Sequence, residues 1–214
     1  MNDDHKLKQD ILSELNWEPS ISADHIGVTV KEGVVTLTGH VATYWEKQAA
    51  ERSAARVHGV KALAEEIEIR LPIHFKRADD EIAAAAVSRL SWDVSVPKDA
   101  VKVKAEKGYV RLTDRVDWHY QKDSAADAIR PLSGVTGVSD QIMIKAPPNT
   151  ANIADDIMHA LHRTFFDDNV NVTAEGGKVR LTGDVDSWTD RQTAASTAWA
   201  APGTMSVQND IYIN

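Results

Sequence analysis

The chain has 214 residues, with 24 basic against 32 acidic side chains for a formal net charge of −8, and no cysteine. The missing cysteine excludes disulfides, Cys-bound zinc, iron–sulfur clusters and cysteine nucleophiles together. No run of about 18 apolar residues is present to span a bilayer, and the opening MNDDHKLKQDILSELNW is acidic and amphipathic with no apolar signal core. As written, the sequence predicts a soluble cytoplasmic protein, or a periplasmic one if the chain is a processed mature form.

Leu7, Ile11, Leu12 and Leu15 recur at helical spacing and predict a first amphipathic helix, with Asp3 or Asp4 as N-cap and Trp17 at its end. Val28–Val41, VTVKEGVVTLTGHV, then alternates apolar and polar residues about Gly33, as a half-buried hairpin does. Its second arm turns Val35, Leu37 and Val41 inward and Thr38 outward. Gly39 holds the remaining inward position, where a glycine predicts a bend or a close backbone approach. An alanine-rich helix over roughly 45–57 follows, and Gly59-Val60 leads to a closing strand with Ile67 and Ile69.

The same order returns twice. The hairpin recurs as VKVKAEKGYVRLTDRV over Val101–Val116 and as VNVTAEGGKVRLTGDV over Val170–Val185, so that the turn glycines Gly33, Gly108 and Gly177 stand 75 and then 69 residues apart. The inward series repeats as Val110, Leu112, Val116 and as Val179, Leu181, Val185. Thr113 and Thr182 point outward. At the position of Gly39 and Gly183 the middle copy has Asp114, which predicts a local departure there. The first helix repeats as Ile82, Ala86, Val87, Leu90 and Trp92 after Asp79-Asp80, and as Ile153, Ile157, Met158 and Leu161 with Phe165-Phe166 in place of the tryptophan. An amphipathic stripe needs only burial to explain it, so these residues are read as core. Second helices are expected over roughly 120–132 and 189–201. Closing strands are expected from Gly134-Val135 to Ile142 and Ile144, and from Gly203-Thr204 to Ile211 and Ile213.

The resulting fold class is α+β: three tandem two-layer modules, each helix-strand-strand-helix-strand, with a small three-stranded sheet covered on one face by two helices. The expected units are 1–72, 73–147 and 148–214, punctuated by Leu71-Pro72-Ile73 and Ala146-Pro147-Pro148. A unit of that size buries only about 60% of its unfolded surface, which predicts that the modules pack on one another as one body.

Catalytic and metal chemistry find little support. His159 and His162 are three apart on a helix, but spacing supplies no third ligand. Asp184, Asp186 and Asp190 stand where the second helix begins, a place carboxylates occupy for capping and the helix dipole. Asp155-Asp156 and Asp167-Asp168 read as solvated charge. The glycines form no phosphate-cradling motif and no serine sits in G-x-S-x-G. The reading is a non-enzymatic protein with no metal and no cofactor.

Two features rise above that background. Aromatic residues stand where the second strand runs into the second helix of every module: Tyr44 and Trp45, Trp118 and Tyr120, and Trp188. Such a corner suits module packing or insertion at a membrane interface. Charge is also unevenly spread: residues 1–72 hold 8 basic and 12 acidic side chains, 73–147 hold 12 and 11, and 148–214 hold 4 and 9. In the basic middle module, strand alternation puts Lys102, Lys104, Arg111 and Lys145 on the sheet face away from the helices, with Tyr109 and Met143 among them. That face could hold phosphate headgroups or simply solvate an open sheet. The acidic chain as a whole argues against nucleic acid.

The pattern V-x-V…G-x-V-x-L-T-G-x-V, the A-E-x-x-A run at Ala50–Ala54, and then G-V with a closing I-x-I strand resemble the BON domain of bacterial OsmY-like and nodulation-associated proteins. The resemblance covers all three units, with Asp114 and Thr204 as its departures. It implies non-enzymatic, stress-associated proteins that bind phospholipid or another envelope component, and in some cytoplasmic members potassium. The reading taken forward is a stress-associated module that binds an anionic phospholipid surface or envelope component. The alternatives are a cytoplasmic potassium sensor and a scaffold for a protein partner.

Overall fold

A computed structural model describes residues 2–145, 152–164 and 169–213. The punctuation at Ala146-Pro147-Pro148, the Phe165-Phe166 pair and Asp167-Asp168 lie outside the described residues. The first module runs α1 (Asn2–Trp17), β1 (Ile26–Lys31), β2 (Val34–Val41), α2 (Tyr44–Ala55) and β3 (Ala62–Ile69). The second is α3 (Asp79–Trp92), β4 (Val101–Glu106), β5 (Tyr109–Val116), α4 (His119–Ile129), β6 (Gly137–Asp140) and β7 (Met143–Ile144). The third is α5 (Ile153–Thr164), β8 (Val170–Glu175), β9 (Lys178–Val185), α6 (Trp188–Ala200) and β10 (Ser206–Ile213). The α+β class and the threefold repeat are as expected from sequence.

Strand order, which alternation cannot supply, is the same each time: the second hairpin strand lies in the middle and the closing strand runs parallel to it on the far side. A parallel partner needs a crossover, and the second helix of each module is that crossover. Each hairpin turn puts both central residues in the left-handed region, Glu32 and Gly33 at φ 54° and 80°, Lys107 and Gly108 at 52° and 77°, Gly176 and Gly177 at 54° and 82°. This is the turn whose twist matches the strands.

Asp4 and Asp79 are fixed by these turns. Asp4 accepts the N–H groups of Glu32 at 2.9 Å and Gly33 at 3.1 Å, and Asp79 those of Lys107 at 2.7 Å and Gly108 at 2.9 Å. The capping role expected of Asp4 is therefore replaced by one that ties the first helix to the hairpin. The two donated hydrogen bonds hold both carboxyls below the ordinary aspartate value.

Each sheet and its helices enclose a core of their own, centred on Leu37 with Ile11 and Leu15, on Leu112 with Ile82 and Ile129, and on Leu181 with Ile157 and Leu161. Fully burying one such leucine contributes roughly 1.5–3 kcal/mol. The helical stripes overreach at their ends: Trp17 and Trp92 are 82% and 83% exposed, and Val87 also faces solvent. Helical spacing had assigned Trp92 and Val87 to the core, but at about 3.6 residues per turn both lie about 100° or more round the helix from the middle of the buried Ile82, Ala86 and Leu90 stripe.

The modules meet at corners, and their cores stay separate. Tyr44, the first residue of α2, packs against the middle core. His119, the first residue of α4, stacks on Trp199 with ring centroids 4.0 Å apart and planes 20° apart. Among the described residues the modules meet through these ring contacts, beside three cores that do not merge.

The glycine expectation holds at Gly39 and Gly183. A Cβ there would lie 1.9 Å from the carbonyl oxygen of His25 or of Asn169. Asp114 keeps the same left-handed sense, φ 93° against 107° and 124°. Its departure lies in the neighbours: Asp99 takes φ 59° on the approach to β4, and the closing strand breaks between β6 and β7 beside Asp114.

Candidate functional site

The open face of the middle sheet is built by period-two alternation on three strands. Lys104 pairs with Arg111, Lys102 with Thr113, and Arg115 with Met143 in the strand register. Lys102, Lys104, Tyr109, Arg111, Arg115, Met143 and Lys145 are all exposed. Arg115 belongs to this face by the same alternation as Arg111, and the sequence reading left it out. Tyr109 stands opposite Gly137, where a Cβ would come within 2.5 Å of the ring. The glycine gives the ring a floor to lie on, and Tyr109 is 47% exposed.

Three of the cations have carboxylate neighbours. Lys102 Nζ lies 2.8 Å from Asp114, Lys104 Nζ 3.1 Å from Glu106, and Lys145 Nζ 3.0 Å from Asp117. Asp114, read from sequence as inward, instead turns its carboxylate to the face. The hydrogen bond and charge of Lys102 lower the Asp114 carboxyl, and Asp114 in turn raises the ammonium of Lys102. Among the described residues Arg111 and Arg115 stand in no ion pair. The corresponding surface of the first module presents Thr29, Lys31, Thr36, Thr38 and Glu66, with Arg70 bound to Glu68 at 2.7 Å. In the third it presents Asn171, Thr173 and Thr182, with Arg180 bound to Asp210 at 2.7 Å.

The corner aromatics separate into two sets. Each corner is fixed by a cap: Thr43 Oγ1 accepts the N–H of Glu46, Ser187 Oγ that of Asp190, and Gln121 Oε1 accepts those of Asp117 and Trp118. Tyr44 is taken up by the junction with the middle module. Trp45, Trp118 and Tyr120 remain 40%, 42% and 57% exposed, and the Arg52 guanidinium lies 5.0 Å above the Trp45 ring. Trp188 is half-buried beneath Arg191, 5.3 Å from its ring centre. His159 and His162 are both exposed, and among the described residues no three His, Asp or Glu gather as a metal set.

A further repeated group escaped the sequence reading. Lys47, Lys122 and Arg191 reach from the second helices to the carbonyls of Ile67, Ile142 and Ile211 at 2.8, 2.8 and 3.0 Å. Glu65, Asp140 and Asn209 accept the N–H of the same isoleucines at 2.6, 3.0 and 3.2 Å. Side chains thus satisfy both backbone groups of a buried strand residue. Burial raises the Asp140 carboxyl, against the opposing effects of the Ile142 N–H and Lys122. One cation on a helix carries no signal alone; its return at the same place in each copy does.

The BON domain profile matches residues 3–70, 78–146 and 149–214. The chain belongs to the BON domain family. Among characterised proteins these BON modules are similar to osmotically-inducible protein Y of Escherichia coli, 26% identical over 147 residues, which cover 67% of this chain and 73% of that protein. Two solved structures are similar at 16% identity and a TM-score of 0.28: CdsD, a structural protein of the type III secretion system of Chlamydia trachomatis, covering 98% of this chain and 92% of that one, and its C-terminal domain, covering 96% of each. Among the described residues of the BON chain no helix is long and apolar enough to cross a membrane.

Proposed function

We propose that this BON protein is a bacterial osmotic-stress-associated binding protein, non-catalytic, whose middle module receives the phosphate headgroups of anionic phospholipid on its open sheet face. The stress association is supported by the family and by the similarity to the osmotically-inducible protein Y of Escherichia coli. The ligand reading is carried by Arg111, an exposed guanidinium outside any ion pair among the described residues, with Lys104 opposite it in the hairpin and Arg115 farther along the same strand.

A planar guanidinium fork matches two oxygens of one phosphate. The neighbouring pairs of Lys102 with Asp114 and Lys104 with Glu106 are exposed, and pairs of that kind contribute only about 0–1 kcal/mol. A headgroup oxygen can therefore replace the carboxylates at small expense. Tyr109 and Met143 place apolar surface between the cations, and Tyr rings of this amphipathic kind settle at headgroup depth.

The test is co-sedimentation with vesicles of phosphatidylglycerol against vesicles of phosphatidylcholine. Binding to the anionic vesicles is expected to fall with salt as the Debye length shrinks from about 10 to 3 Å. The double substitution Lys102→Glu with Arg111→Glu is expected to abolish it. Melting should change little, since exposed substitutions of this kind usually shift stability by less than about 0.5 kcal/mol. Arg180→Glu in the third module is expected to matter less, because Arg180 is already held by Asp210. Wild-type affinity in the double variant for every anionic vesicle would remove the reading.

A further inference from the structure

Both junctions between modules use the same two parts. The donor is the first residue of the second helix in one module: Tyr44 at the start of α2 and His119 at the start of α4. The receiver is the far end of the second helix in the next module. Thr43, Tyr44 and Trp45 line one cleft with Arg130, Leu132 and Val135, and His119 stacks on Trp199 in the last turn of α6. His119 Nδ1 is held at 2.9 Å from Asp123, which fixes the ring for stacking.

The receiving residues correspond in the repeat. Arg130 and Trp199 each stand four residues before a left-handed glycine, Gly134 at φ 89° and Gly203 at φ 99°. In the first module Ala55 holds that place before Gly59 at φ 95°. The end of α2 there opens onto a groove lined by Arg56, Val57, His58 and Gly59 with Leu7 and Gly33. At the other end of the chain, Trp188 is the first residue of α6 and so the third member of the donor series. Its ring lies beneath Arg191 of its own helix. Among the described residues, neither this corner nor this end of α2 takes part in a junction between modules.

We infer that these two surfaces bind each other between copies: the Trp188 corner of one molecule docks on the Arg56–Gly59 end of α2 in the next. The occupant is a second copy because the contact continues an interface that the chain already makes with itself twice. Donor and receiver are different patches, so the contact is heterologous and does not close at two subunits; it propagates as a line unless the rotation per molecule closes a ring. The lipid reading is not needed for it.

Sedimentation velocity of the full chain without lipid tests this. The average mass is expected to rise with concentration by about twofold or more, as an open heterologous contact requires. Trp188→Glu and His58→Glu are each expected to stay monomeric while melting as the parent does. An equimolar mixture of the two variants should regain one dimer and nothing larger, because only one intact donor and one intact receiver remain. The Lys102→Glu with Arg111→Glu variant should assemble as the parent does, which separates this contact from the sheet face. A parent that stays monomeric throughout, single variants that still assemble, or a mixture that gives no dimer would overturn the inference.

Discussion

The middle and third modules build the same sheet from hairpins that differ at six positions, and at one of them, Asp114 against Gly183, they resolve the same backbone conflict in opposite ways. Gly183 takes φ 124° and approaches the Asn169 carbonyl so closely that any Cβ would collide with it at 1.9 Å. Asp114 takes φ 93° and carries a side chain in the same place. The room accompanies a different approach to β4, with Asp99 left-handed at φ 59°. In return the ladder breaks between β6 and β7, and a carboxylate reaches the sheet face beside Lys102. A repeat can therefore change the charge of one face without touching its core, provided the change falls where backbone and not packing sets the constraint.

Gly183→Ala should break the comparison hardest. Left-handed strain and a backbone collision together are expected to cost about 3 kcal/mol or more, read as faster hydrogen exchange in β8–β10 with β4–β6 unaffected. Asp114→Gly is the reverse exchange and should stabilise the middle module by about 1 kcal/mol through relief of the left-handed penalty. No loss from Gly183→Ala, together with no gain from Asp114→Gly, would show that strain is not what separates the two modules.

A moderate effect is expected at the turns. Asp79→Ala leaves the Lys107 and Gly108 N–H groups without their carboxylate and should lower the melting temperature of the middle module. The Asp79 carboxyl is held below its ordinary value in the fold, so its stabilisation is present above the unfolded value and disappears as pH falls through the folded one. A melting curve against pH should accordingly lose part of its acid limb in the variant. An unchanged acid limb would contradict this role.

The smallest effect sharpens a similarity. Asn209 performs in the third module what Asp140 does in the middle one, so Asp140→Asn should change stability by no more than about 0.5 kcal/mol near neutral pH. Burial raises the Asp140 carboxyl. Its contribution is therefore present below the unfolded value and is lost as pH rises through the folded one. The variant should gain on the parent over that rise, a difference readable in paired urea titrations.

The hairpins were legible because a period of two and a glycine at the turn leave little choice about which side faces the core. The order of strands was not, since β3 presents Ile67 and Ile69 with the same alternation whether its neighbour runs parallel or antiparallel. Trp92 does not belong to the core because about 3.6 residues per turn carry it round the helix from the side on which Ile82, Ala86 and Leu90 are buried. The basic face was legible through alternation, apart from Arg115. What could not be read was Asp114 turning outward, because the period-two rule assumes a backbone that this residue does not adopt. Tyr44, His119 and Trp188 occupy one place in the repeat, yet the middle one was passed over because imidazole is not grouped by eye with large aromatics.

Among the described residues every strand finds its partners inside its own module. The consequence is kinetic. Folding speed follows the sequence distance between partners more than the length of a chain, so a third copy adds no slower step than the first. The limiting event in each copy is the parallel return of its closing strand after the crossover helix, and a copy can complete it while the next is still being synthesised. Arrays of this unit can lengthen by duplication without lengthening the search for the native state.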